Sequence, residues 1–174
     1  MLLDPKCMAA PINETSVNLH NRVAELVPGL FIAGLGGSLP TKFKKDGETD
    51  WVDVFTPYPY QTEADYTAAI RSLWTGKVEP AVAATQGKSV ILMTHDGPQD
   101  FYTANARGTI GMGENRQDFG FHRFGSSGLA ELLYEQRSKL VVNIHGHCHD
   151  GGFLDRVTCT DGQEFPVCNP GSLN

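Results

Sequence analysis

Two stretches of the chain share one pattern, an apolar run that ends abruptly on histidine. Ser89-Val90-Ile91-Leu92-Met93 leads without a charge into Thr94-His95-Asp96-Gly97-Pro98. Leu140-Val141-Val142 leads into Asn143-Ile144-His145-Gly146-His147-Cys148-His149-Asp150. Short uncharged apolar runs bounded by turn formers predict buried strands. Gly29 to Gly34 reads the same way, Trp51 to Phe55 as an edge strand, and 155–159 with 164–168 as a hairpin around Asp161-Gly162. Helical spacing appears in Tyr66, Ala69, Ile70 and Leu73, behind the capping box Thr62-Glu63-Ala64-Asp65 with Asp in the usual Glu position. It recurs in Leu129, Leu132 and Leu133, where Ser126 or Ser127 supplies the cap. A short helical pattern also runs from about His20 to Val27. Strands interleaved with helices make the expected class α/β.

Between these elements the pattern weakens. Gly34-Leu35-Gly36-Gly37-Ser38 invites a phosphate-loop reading, but Leu39 stands where the dinucleotide fingerprint needs its third glycine, and no Walker lysine is present at the required spacing. A tight turn needing positive φ accounts for it instead. Lys42, Lys44 and Lys45 read as a solvated loop face, and His20 as a solvated histidine. Residues 99–125 read as a long glycine-rich loop holding Arg107, Arg116, His122 and Arg123, where an arginine could grip phosphate bidentately. Asn169-Pro170-Gly171-Ser172 closes the chain as a turn whose asparagine can bond locally.

Length and charge narrow the possibilities. The 174 residues suit one domain. A formal charge of −6 argues against nonspecific nucleic-acid binding. No apolar stretch reaches the roughly 20 residues of a membrane span, and the N-terminus lacks the pattern of a signal peptide. Four cysteines without a C-x-x-C spacing read as reduced thiols. The expectation is a soluble, cytoplasmic protein.

The chemistry lies with the histidines. Imidazole is the commonest metal-ligating side chain, and strand alternation would send His145, His147 and His149 to one face, with Cys148 opposite. Ligands of open α/β sheets bind outside the carboxyl ends of the strands, so the two histidine-bearing strand ends are expected to form one metal site.

Taken in order, T-H-D-G-P at His95, G-H-C-H at Gly146 to His149 and N-P-G-S at Asn169 to Ser172 resemble the calcineurin-like metallophosphoesterases. The resemblance covers residues from about 30 onward. It implies the C-terminal part of that family's double β-sandwich flanked by helices, residues 1–174 forming one partial domain. It implies hydrolysis of a phosphoric ester, a phosphodiester or monoester, by a binuclear centre of two divalent ions (manganese, zinc or iron). His95 and His147 would ligate one ion and His149 the other, while His145, Asp96, Arg107, Arg123 and Asn169 are candidates for supporting or substrate-binding roles. The chain departs from the family in having no D-x-H or G-N-H block, and Leu2 stands where some relatives carry the asparagine ligand. Only the histidine half of the centre is then expected here. The implied partners are a phosphate ester and another chain completing the sandwich. The alternative is an inactive, truncated phosphoesterase serving as a structural or interaction subunit.

Overall fold

A computed structural model describes residues 18–44, 49–55, 57–110, 114, 117–148, 152–158 and 161–171. Its centre is a six-stranded mixed sheet. The strands are β1 (Arg22–Val27), β2 (Leu30–Leu35), β5 (Val90–Thr94), β8 (Leu140–His145), β9 (Leu154–Thr158) and β10 (Glu164–Cys168), in the order β1-β2-β5-β8-β10-β9. The four inner strands, β2, β5, β8 and β10, run parallel, and β1 and β9 close the edges antiparallel. Two antiparallel ribbons stand apart from the sheet, β3 (Thr41–Lys44) with β4 (Trp51–Phe55), and β6 (Asn105–Ile110) with β7 (Gln117–Arg123).

One face of the sheet carries the core. Ala33 and Leu35 of β2, Val90 and Leu92 of β5, Leu140 of β8, and Phe165 and Val167 of β10 are all buried there. Helix α1 (Glu63–Leu73) covers them with Tyr66, Ile70 and Leu73, and helix α3 (Ser127–Glu135) with Leu129, Leu132 and Leu133. A π-helical segment, Trp74–Val78, extends α1 into the short α2 (Glu79–Val82) and buries Trp74 and Val78. The capping box at Thr62 and Asp65 forms as expected, and Ser126 is the serine that caps α3. The two helices are tied together by Glu63, whose Oε1 accepts from Ser126 Oγ at 2.7 Å, Ser127 Oγ at 3.1 Å and the Gly128 amide at 2.9 Å.

Three segments differ from the sequence expectations. Arg22–Val27 is the edge strand β1 and not a helix, because the Pro28-Gly29 turn, with Gly29 at φ 81°, folds it back onto β2. Thr41–Lys44 is a strand because β4 pairs with it. Residues 105–110 and 117–123 pair as a hairpin, where the sequence suggested a structureless loop. Its ladder supplies the hydrogen bonds, so the segment forms without an apolar face on the main core. Gly37 has φ 104°, and a Cβ there would meet Pro59 at 2.5 Å, which accounts for the second glycine after β2. The sheet places the architecture in the mixed α/β class. No helix among the described residues is long and apolar enough to cross a membrane.

Candidate metal centre

The parallel strands all point their carboxyl ends to one edge, and His95, Asp96, His145, His147 and Asn169 lie there. Thr94 sits opposite Leu35 on one side and His145 on the other. Pairing continues past the strands. The His95 amide donates to Leu35 O at 3.2 Å, and the His95 carbonyl accepts from the Gly146 amide at 3.0 Å. That last bond binds the two histidine-bearing turns together.

Beyond Gly146 the alternation ends. The Cys148 amide donates back to Gly146 O at 2.8 Å, closing a three-residue turn centred on His147, whose φ is 65°. A left-handed conformation in a non-glycine residue costs about 1–2 kcal/mol and needs its surroundings to enforce it. Asn169 contributes to that enforcement. It is 1% exposed, and its Nδ2 donates to Cys148 O at 2.6 Å and Thr103 O at 2.9 Å. Its Oδ1 accepts from the Gly171 amide, the local turn bond expected from the sequence.

The turn brings His147 Nδ1 to 3.2 Å from His95 Nε2 and 3.3 Å from Asp96 Oδ1. One ligating atom from each of the three residues lies within 4.8 Å of the others. Zinc–nitrogen bonds of about 2.0–2.1 Å place neighbouring ligands of one ion roughly 3 Å apart, so this spacing suits a shared ion. The donor set is two imidazoles and a carboxylate, accepted by several divalent transition metals. On the far side of the ring, His147 Nε2 meets Thr41 Oγ1 at 3.3 Å, a contact that orients the imidazole.

Asp96 is the unexpected member. It is 1% exposed, and its Oδ2 accepts from the Leu39 amide at 2.6 Å. Burial pushes its carboxyl up to about 7, opposed by the Leu39 bond and reinforced by the negative charge of Glu63. A cation would relieve this cost by holding the carboxylate in its charged form.

His145 takes a different place from the one that alternation assigns. A one-residue bulge at Val141 pairs Val90 with Leu140 but Ile91 with Val142. Such an insertion flips the parity of the residues after it, so Asn143 and His145 turn inward. His145 is 2% exposed, its Nε2 lies 2.9 Å from Thr103 Oγ1, and its Nδ1 donates to Gly146 O. Burial holds its pKa below the usual histidine value, with His95 acting in the same direction and the Gly146 bond against it. It supports the turn from beneath and stands apart from the three clustered donors. Cys148 is buried and unoxidised. His149 lies outside the described residues, as does Arg116, and Arg107 is placed as part of the β6 backbone.

A cavity of about 360 Å³ opens beside Asp96 and His147. Arg123 lines it and pairs with Asp100 at 2.9 Å. Thr41, Lys42 and Glu63 also line it, and none of the three was expected at a site. Thr41 and Lys42 carry no motif, and the Glu63 signal was absorbed by helix capping. Comparison of the chain with family models, curated proteins and solved structures finds no match.

Proposed function

We propose that this chain binds a divalent metal ion through His95, Asp96 and His147 and serves in the metal-dependent hydrolysis of a phosphoric ester. The observation that carries the reading is the convergence of two imidazoles and a buried carboxylate beside a cavity at the carboxyl edge of the parallel strands. Three protein ligands with one side open is the arrangement of catalytic zinc sites. The order of T-H-D-G-P, G-H-C-H and N-P-G-S adds the calcineurin-like phosphoesterase character.

The chain's own residues have distinct parts in this reading. His95 and His147 donate imidazole nitrogen, and Asp96 supplies the anionic oxygen. Thr41 holds the His147 ring, while Asn169 holds the turn that presents it. A bound divalent ion would supply Lewis-acid activation of water and of a phosphoryl oxygen. A two-ion centre in a double sandwich would need further carboxylate ligands and a second sheet, supplied by another chain or segment.

A second reading, an inactive structural or interaction subunit, draws on the other face of the sheet. Ile32, Ile91, Val142 and Ile144 are only half-buried there, and Met93 is 38% exposed. Both readings meet one experiment: manganese or zinc titration of the full chain, followed by hydrolysis of a chromogenic phosphodiester. His147→Ala and Asp96→Asn are each expected to weaken metal binding by about 100-fold or more, beyond the 10–100-fold typical of residues supporting the ligands. Metal bound equally by both variants would overturn the metal reading. Metal bound with no turnover would favour the interaction subunit.

A further inference from the structure

Two hairpins that do not belong to the sheet form part of the cavity wall. Ribbon β3–β4 brings Lys42 and Thr41 to one wall, and ribbon β6–β7 brings His122 and Arg123 to another. Strands β3 and β7 touch, so the ribbons meet over the same opening. In a chain of net charge −6, one small cavity thus collects a lysine, an arginine and a histidine next to the proposed metal ligands.

Two acidic groups share the lining of the cavity, and each has polar partners of its own. Glu63 turns Oε1 to Ser126, Ser127 and Gly128. Asp96 faces His147 and the Leu39 amide. Arg123 pairs with Asp100, but both side chains are more than half exposed. An exposed ion pair is worth only about 0–1 kcal/mol, whereas guanidinium can bind phosphate through two parallel hydrogen bonds. A phosphoryl group entering the cavity can therefore displace Asp100. His122 Nε2 donates to Phe119 O at 2.8 Å, which fixes the ring against its own strand. Leu39, Pro40 and Phe124 give the remaining wall an apolar character suited to an organic substituent.

We propose that Lys42 and Arg123, on opposing hairpins, form an anion subsite for the phosphoryl oxygens of a small phosphate monoester or diester, with its substituent against Leu39, Pro40 and Phe124. The proposal rests on the metal reading for the identity of the reacting group, and on the two cations alone for anion binding.

Phenylphosphonate, whose P–C bond resists hydrolysis, is a suitable probe. It would be titrated calorimetrically into the full chain with and without manganese, alongside a separate manganese titration. Lys42→Ala and Arg123→Ala are each expected to weaken phenylphosphonate binding by about tenfold, as for loss of a charged hydrogen bond, and the double variant by more. Manganese affinity should stay within about twofold, because neither residue is a proposed ligand, and Arg137→Ala, a distant cation, should bind the probe normally. Thermal unfolding of the variants checks that the fold is retained. Equal binding of the probe by the wild type and the double variant overturns the subsite. If manganese does not bind but the probe still depends on Lys42 and Arg123, the subsite stands and the metal reading falls.

Discussion

The buried face of the sheet has two ends built on different principles. Toward the strand starts, Val90, Leu140 and Phe165 pack their apolar surface under α1 and α3. Toward the carboxyl ends the same face buries Thr94, Asn143 and His145, with Asp96 and Asn169 just beyond. Apolar packing tolerates exchange among residues of similar volume, whereas a buried polar group needs its particular partner. Asn143 Nδ2 finds the Leu92 carbonyl, His145 finds Thr103, and Asn169 finds Cys148 and Thr103. The first end supplies stability, and the second fixes three side chains in a geometry that stability alone does not demand.

Deleting packing should break the first end without touching the second. Leu92 is fully buried in the central strand, and Leu92→Ala is expected to lower stability by about 2–5 kcal/mol through lost burial and a residual cavity. Urea denaturation measures the loss. Metal affinity of the folded fraction should be unchanged, since the Leu92 side chain is not among the clustered donors. A loss of metal affinity larger than the loss of stability would show that the two ends are not separable.

Glu63 joins the two ends, because it lines the cavity and clamps α3 to α1. Glu63→Ala strands the Ser126 hydroxyl and the Gly128 amide, and should cost about 1–3 kcal/mol. Glu63→Gln keeps an acceptor oxygen and should recover part of that loss. Equal stability of the two variants would mean that the carboxylate charge, and not its acceptor geometry, holds the helices.

The sequence made the sheet more legible than the site. β5 and β8 announce themselves as uncharged apolar runs, and their shared carboxyl edge comes from parallel topology, so His95 and His147 were expected together. Capping at Thr62 and Ser126 and the hairpin around Asp161-Gly162 were equally visible, the hairpin pairing Thr158 with Glu164. The two ribbons were not. They do not extend the main sheet, so Thr41–Lys44 and residues 105–123 show no apolar period to read. The bulge at Val141 has no residue signature either, yet it decides that His145 is buried. Asp96 could be recognised only as a supporting candidate, because its burial depends on the Leu39 amide, 57 positions away.

The smallest expected effect concerns the other side of the sheet edge, where His20 braces the turn after β2. Its Nδ1 accepts from the Gly36 amide at 3.1 Å, so the bond requires a neutral ring, and the residue is half-buried and not fully solvated. Burial lowers its pKa below 6.5, and the positive charge of Lys77 acts in the same direction. A histidine depressed in the folded state gives stability that is present above the unfolded value of about 6.5 and lost as pH falls toward the lower folded value. Because the ring is partly exposed, solvent screening limits the effect to about a few tenths of a kcal/mol. Asp96 and His145 also bear on acid stability, so the measurement must be a difference. His20→Asn keeps an acceptor oxygen for Gly36 but does not titrate, and its stability relative to the wild type should rise between about pH 7 and pH 5.5. A difference that stays flat across that interval would show that His20 is equally easy to protonate in the folded and unfolded chain.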